Sequence, residues 1–172
     1  MRAFEEKDYQ IFDLFQNQWA LVTAGTPERF NACTLSWGCM GTIWNKPTVT
    51  VYLHPSRYTR ELMMESDVFT VSFFPEEQKR ALAIMGARSG RDGDKTAAAG
   101  LTPMPFGGGV TYKEASRTFL CRKLYQHPFS KENLDREIQA YYQTNPAVYP
   151  PDENGSWQPH WVFVGEVLEA TE

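Results

Sequence analysis

The sequence predicts a mainly β protein, a small barrel with helices packed outside it. Short segments with apolar or period-two patterns, each bounded by Gly or Pro, recur along the 172 residues and are typical of strands. The segments between them suit turns or single helices and are too irregular for repeated βαβ units. A chain of this length buries about 70% of the surface that its unfolded form exposes. We therefore expect one domain over residues 1–172.

The first third of the chain is predicted to contain three strands. Residues 19–24 are short and apolar and stop at Gly25. Residues 32–38 alternate small with larger side chains, and residues 48–53 alternate β-branched side chains up to Pro55.

The middle of the chain mixes helices with one strand. The period changes over residues 58–66, which predicts a short helix, and returns to two over 68–74, which predicts a strand. Residues 76–87 begin with acidic residues and predict a second helix. A charged, Gly-rich loop at 86–95 precedes a short helical stretch at 96–99.

The last third is predicted to place a helix between two strands. The strands are 118–125 and 161–168, the helix is 131–142, and strand 161–168 is expected to close the barrel. The Pro-rich segment 147–159 is predicted to be an extended arm that crosses to another subunit or wraps its own.

Charge and cysteine content exclude several classes of protein. Lys and Arg number 17 against 21 Asp and Glu, so no basic excess is present to bind nucleic acid. The three cysteines are odd in number and lack CxxC spacing, which favours reduced thiols in the cytoplasm. The first 12 residues are too charged for a signal peptide, and no apolar run approaches the ~20 residues of a membrane span. We expect a soluble, cytoplasmic protein that binds neither nucleic acid nor membrane.

The sequence contains no motif typical of a metal site or of a catalytic nucleophile. His54, His127 and His160 lack the spacing of zinc sites. The chain also has no GxSxG segment and no catalytic cysteine signature. We therefore predict no metal site and no catalytic side chain.

Two clusters of anion donors are the better-supported candidates. The first is Arg57-Tyr58-Thr59 at a predicted helix start, and the second is the loop from Ser89 to Lys95 before another helix. Backbone N–H groups at a helix start and long cations suit a phosphate. Each cluster is also compatible with an ordinary solvated loop, and spacing alone does not bring the two together.

A third segment, residues 31–38, combines small side chains, hydroxyls and Trp37. Such a strand lets a flat heterocycle approach the backbone while an aromatic side chain covers its face. The alternative is that Trp37 belongs to the core. The residues thus indicate an aromatic, phosphate-bearing ligand without naming it.

Seven segments, taken in order, carry a family resemblance: WALVTAG (19–25), NACTLSWG (31–38), WNKP (44–47), RYT (57–59), FTVSFFP (69–75), SGRDGDK (89–95) and VGEV (164–167). They cover most of the chain and together resemble the flavin reductase-like family of FMN-binding split barrels. The resemblance implies a six-stranded Greek-key barrel with peripheral helices, and a homodimer that binds FMN near the subunit interface.

The resemblance also implies which residues bind FMN. Asn31, Thr34, Ser36 and Trp37 would lie along the isoalloxazine ring or the ribityl chain. Arg57, Tyr58 and Thr59 would hold the phosphate, and Ser89, Gly90, Arg91, Asp92 and Lys95 would complete the phosphate and ribityl contacts. Lys95 is the leading candidate for neutralising the phosphate charge.

The activity implied is that of an NAD(P)H-dependent flavin oxidoreductase. Hydride would pass from NADH or NADPH to flavin N5, and the electrons would continue to free flavin, a metal complex or a redox protein. The alternatives are a flavoredoxin-like electron carrier and a non-catalytic flavin-binding protein. None of the three requires a side-chain acid or base, because the flavin supplies the redox chemistry.

Overall fold

The structure is a computed structural model that describes residues 2–171. Its strands are β1 (Ala20–Thr26), β2 (Arg29–Leu35), β3 (Gly38–Ile43), β4 (Lys46–Leu53), β5 (Val68–Phe73), β6 (Pro103–Phe106), β7 (Gly109–Tyr112), β8 (Arg117–Pro128) and β9 (Trp161–Thr171). Its helices are α1 (Ile11–Asp13), α2 (Tyr58–Glu65), α3 (Lys79–Ala87), α4 (Lys95–Ala99) and α5 (Arg136–Gln143). Short helical turns cover Ala3–Glu6, Leu14–Gln18, Glu76–Gln78 and Lys131–Asn133.

The main sheet has seven strands in the order β2-β1-β5-β8-β9-β4-β3, and every neighbouring pair is antiparallel. Strands β6 and β7 form a separate hairpin. The predicted fold class, mainly β with peripheral helices, is confirmed. Several details differ from expectation. Within residues 2–171, the main sheet has seven strands rather than six and is not closed into a barrel, and β9 lies inside it between β8 and β4 rather than at a closing edge. The β6–β7 hairpin was not predicted.

The additional strand is β3, which forms a hairpin with β4. Trp44 and Asn45 occupy its turn with φ values of 54° and 55°, the left-handed conformation that two-residue hairpin turns use. Only residues up to Gly38 were predicted to be extended. The rest of β3 is mostly exposed and lies at the sheet edge, so it lacks the apolar alternation that identifies a half-buried strand.

Apolar side chains pack on both faces of the sheet. Adjacent residues of a strand point to opposite faces, so Val22 packs with Phe119 and Phe163 while Leu21 packs with Leu82 of α3. The cluster that contains Leu21 and Leu82 packs α3 against β1 and β2. The loop that follows α3 is therefore held beside β2.

The Pro-rich segment after α5 wraps the chain's own sheet. The carbonyl of Gln158 accepts a hydrogen bond from His54 Nε2 at 3.1 Å, at the end of β4. Tyr149 lies over the same place, with its ring 5.4 Å from that of His54. The arm thus covers the ends of β2 and β4 in the same subunit.

No helix within residues 2–171 is long and apolar enough to cross a lipid bilayer.

Candidate functional site

A cavity of about 100 Å³ lies where β2, the start of α2 and the loop after α3 meet. We call it the anion cavity; its lining residues are Asn31, Cys33, Ser56, Arg57, Tyr58, Thr59, Gly86, Ala87, Arg88, Ser89, Gly90 and Lys95. Three of these residues are cations, and none carries a carboxylate. The lining therefore favours an anionic ligand.

Residues of the two predicted anion clusters line this one cavity, and hydrogen bonds tie the elements around it together. Arg57 Nη1 donates to the Gly86 carbonyl at 3.3 Å, which ties the start of α2 to the end of α3. Asn31 Nδ2 donates to Thr59 Oγ1 at 2.7 Å and links β2 to α2. Arg57, at the N-cap position, makes no side-chain capping bond, so the first turn of α2 keeps backbone donors for a ligand.

Glycine is required where the loop after α3 passes β2. A Cβ on Gly90 would lie 2.1 Å from Asn31 Oδ1, far inside contact distance. The close approach of this loop to Asn31 forms one wall of the anion cavity.

Lys95 is buried, with 5% of its surface exposed. Its Nζ donates to the carbonyls of Met85 at 2.8 Å and Arg88 at 3.1 Å, the last turn of α3. Desolvation lowers the pKa of Lys95, and the positive charge of Arg57 lowers it further. An ammonium has three N–H donors, so one remains for a ligand in the cavity.

A second cavity, of about 150 Å³, shares Cys33 and Arg57 with the first. We call it the aromatic cavity; its other lining residues are Thr34, Leu35, Ser36, Trp37, Tyr52, Leu53, His54, Tyr149 and His160. Trp37 is 40% exposed, so it is not a core residue. Its ring lies 4.8 Å from that of His160 and 6.1 Å from that of Tyr149.

Most of the predicted site residues line one of these two cavities. The anion cavity contains Asn31, Arg57, Tyr58, Thr59, Ser89, Gly90 and Lys95. The aromatic cavity contains Thr34, Ser36 and Trp37, and Arg57 lines both.

Arg91 and Asp92 line neither cavity. Arg91 forms an ion pair with Glu61, and its guanidinium lies 4.9 Å from the centre of the Tyr58 ring. Asp92 faces the outer side of the same loop, in an open groove beside α4. These two residues are oriented toward α2 and the outer groove and do not face the shared space.

The two histidines of the aromatic cavity, His54 and His160, were not predicted to be binding residues and were considered only as metal ligands. His54 directly follows β4 and His160 directly precedes β9, and these strands pair with Leu53 opposite Trp161. The two imidazoles therefore lie side by side, with ring centres 5.4 Å apart. The sequence does place one histidine directly after a predicted strand and one directly before another. This arrangement indicates a shared site only once the pairing of the two strands is known.

Burial keeps both histidines neutral at physiological pH. Desolvation lowers the pKa of His54 to about 4 and that of His160 to about 3, with nearby Arg57 adding to both shifts. Among the described residues, no cluster of three or more His, Cys, Asp or Glu side chains is arranged to hold a metal ion.

The side chains that line the two cavities suit the chemical groups of FMN. The anion cavity offers guanidinium, ammonium and helix-start donors of the kind that bind phosphate. The aromatic cavity offers Trp37, small hydroxyl side chains and neutral imidazoles, which suit a flat heterocycle with polar edges. Because Cys33 and Arg57 line both, the phosphate and ring ends of one ligand can occupy adjoining spaces.

Solved structures with the same fold include flavin proteins. An FMN-binding protein from Thermus thermophilus matches 100% of this chain and 80% of its own at 23% identity, with a TM-score of 0.68. Flavoredoxin from Methanosarcina acetivorans matches over 97% and 75% at 20% identity, with a TM-score of 0.67. An FMN-binding domain of a flavin reductases-like enzyme from Shewanella baltica matches over 93% and 71% at 19% identity, with a TM-score of 0.62.

Among curated proteins, no sequence matches significantly. The model of the flavin reductase like domain matches residues 12–172, nearly the whole chain. This match agrees with the seven segments that carry the resemblance and with the mainly antiparallel fold. The chain belongs to the flavin reductase-like family.

Proposed function

We propose that this protein binds FMN and acts as an NAD(P)H-dependent flavin oxidoreductase. The observation that carries the proposal is that the two cavities adjoin at Arg57, which lines both, with cations in one cavity and Trp37 in the other. The family match supports a flavin as the ligand.

In this proposal the chain's own residues bind and orient the ligand. Arg57, the first turn of α2 and Lys95 hold the phosphate, while Ser36 and Trp37 lie along the ring. When bound, FMN supplies reversible hydride and electron transfer. The protein then needs no side-chain acid or base, and its work is to position the ring and to control access to it.

We also propose that the protein is a homodimer. Several large apolar side chains remain uncovered on one chain near the β3–β4 hairpin: Trp37 is 40%, Ile43 is 44% and Trp44 is 56% exposed. Ile43 is the last residue of the edge strand β3, and Trp44 follows it in the hairpin turn. Covering such side chains with a second copy would remove apolar surface from water.

The deciding experiment is a visible spectrum of the purified protein, titrated with FMN and then mixed anaerobically with NADH or NADPH. We expect a bound-flavin band that bleaches rapidly with at least one nucleotide. Light scattering on the same sample should give twice the mass of one chain.

The other outcomes point elsewhere. A bound flavin that neither nucleotide reduces, but a redox protein partner does, would indicate a flavoredoxin-like carrier. A bound flavin that nothing reduces would indicate a non-catalytic flavin-binding protein. Absence of flavin binding would contradict all three functions.

A further inference from the structure

His160 has one imidazole nitrogen occupied within the protein and one open. Its Nδ1 lies 2.6 Å from the Tyr142 hydroxyl, and its backbone N–H donates to the same oxygen at 3.3 Å. Within residues 2–171, Nδ1 is the only acceptor that the hydroxyl proton of Tyr142 reaches. Nδ1 therefore accepts, and the imidazole carries its proton on Nε2.

Nε2–H of His160 donates to no protein atom within the described range of 2–171. The residue is 93% buried, since only 7% of its surface is exposed, and it lines the aromatic cavity. His160 is a lining residue of that cavity, and no hydrogen bond within residues 2–171 occupies its Nε2. A buried donor left unpaired costs free energy, and a ligand acceptor in this cavity would remove that cost.

His54, in the same cavity wall, provides a contrast. Its Nδ1 lies 2.8 Å from Ser56 Oγ and accepts from the Ser56 backbone N–H at 3.3 Å. Its Nε2 donates to the Gln158 carbonyl at 3.1 Å. Nδ1 is occupied by Ser56 and Nε2 by the arm, so His54 has no donor left for a ligand.

The His160 ring is held in place by its neighbours. Its centre lies 4.8 Å from that of Trp37 and 5.2 Å from that of Tyr149. Burial raises the pKa of Tyr142, so the phenol keeps the proton that it donates to Nδ1. The neutral imidazole thus lies beside the Trp37 ring with one N–H that has no acceptor among the described residues.

We propose that His160 Nε2–H donates a hydrogen bond to an acceptor atom on the edge of the bound flavin ring, which makes His160 a ring-binding residue of this site. The proposal rests on the proposed FMN function and adds a contact to it. Tyr142 acts through His160, as the group that sets its tautomer. Because the contact is to the ring, it should contribute equally to the binding of flavins with and without a phosphate.

The test compares FMN with riboflavin, which lacks the phosphate, in binding titrations of His160→Phe. Phe keeps an aromatic ring beside Trp37 and removes the donor. Losing one neutral hydrogen bond should weaken both ligands by the same factor, about 2- to 12-fold. The midpoint potential of bound FMN should also fall, because a donor at the ring edge favours the more electron-rich reduced ring.

The chain offers a matched control in His127→Phe. His127 is exposed on β8, and its Nδ1 lies near the Pro128 carbonyl, away from both cavities. Its replacement should change neither affinity nor potential. Arg57→Ala should show the complementary pattern, weakening FMN much more than riboflavin.

Each result decides a separate question. If the wild-type protein binds neither flavin, the FMN function itself fails. If folded His160→Phe binds both flavins as the wild type does, or loses affinity for FMN alone, the His160 contact is overturned while the FMN function stands.

A spectroscopic measurement covers the case in which His160→Phe does not fold. In wild-type protein labelled with ¹⁵N-histidine, the Nε2–H resonance of His160 should shift on addition of either riboflavin or FMN. A resonance that neither flavin moves would overturn the contact.

Discussion

Lys95 shows how a residue selected by the sequence for its charge also supports the local structure. Its ammonium donates to the carbonyl of Met85 in the last turn of α3 and to that of Arg88 just after the helix, where carbonyls lack intrahelical partners. Arg57 makes one longer bond, to Gly86. The two cations of the anion cavity should therefore respond differently to substitution.

We expect Lys95→Met to lower the free energy of unfolding by about 2 kcal/mol and to weaken FMN binding, because it removes charge-assisted hydrogen bonds and a cation together. Arg57→Ala should weaken FMN about 10- to 100-fold while changing stability by less than about 1 kcal/mol. Urea denaturation and FMN titration measure the two effects.

Arg29→Ala is the control for these two substitutions. Arg29 is an exposed cation whose ion pair with Glu65 spans 3.9 Å outside the cavities, so neither quantity should change. Full stability in Lys95→Met would show that its bonds to α3 contribute nothing. Unchanged FMN affinity in folded Arg57→Ala would remove Arg57 from the phosphate site.

At the scale of elements, the internal position of β9 makes the sheet sensitive to substitution at Gly165. Gly165 faces Val49 of β4 on one side and Lys123 of β8 on the other. A Cβ there would lie 2.5 Å from Phe69 Cζ and 2.7 Å from Cys121 Cβ. Backbone and core approach each other closely at this point, because the strand is flanked on both sides.

Gly165→Ala should therefore destabilise the protein by about 1–3 kcal/mol, since the core must shift to admit a methyl group. Gly41→Ala on the edge strand β3 is the matched control. A Cβ at Gly41 meets no atom within 4 Å, so we expect a change below about 0.5 kcal/mol. Equal urea midpoints for the two variants would contradict the internal placement of β9.

At the scale of the whole molecule, the two buried histidines connect distant parts of the chain, His54 to Gln158 and His160 to Tyr142, and make stability depend on pH. Their folded pKa values, about 4 for His54 and about 3 for His160, lie below the ordinary value near 6.5. Between these values the unfolded chain binds more protons than the folded one. Stability is therefore fully present above about pH 6.5 and falls as the pH decreases through 5 toward 4.

The expected loss between pH 7 and pH 5 is about 2 kcal/mol for each histidine, measured by urea denaturation across that range. His54→Gln should reduce this pH dependence, whereas His127→Gln, at an exposed position, should retain it. A free energy of unfolding that is the same at pH 7 and pH 5 would show that the histidines are not buried as neutral groups.

Local sequence patterns were sufficient to predict most of the strands and helices. The apolar segment before Gly25, the β-branched alternation before Pro55 and the helix starting at Tyr58 all appear near their predicted bounds. Strand β3 was missed beyond Gly38, because an exposed edge strand has no alternation to detect. Hydrophobic periodicity and turn residues are local features of the chain, so they can be recognised without knowledge of the fold.

The sequence by itself thus determined the mainly β class, the family and the chemistry of the two anion clusters. Only the tertiary structure decided that Arg57 and Lys95 line one cavity, that β9 is internal, and that His160 keeps a free donor beside Trp37. These features arise from contacts between residues far apart in the chain, such as Leu53 with Trp161. Local hydrophobic periodicity does not specify which distant residues pair with each other, because the packing of the whole sheet selects those pairs.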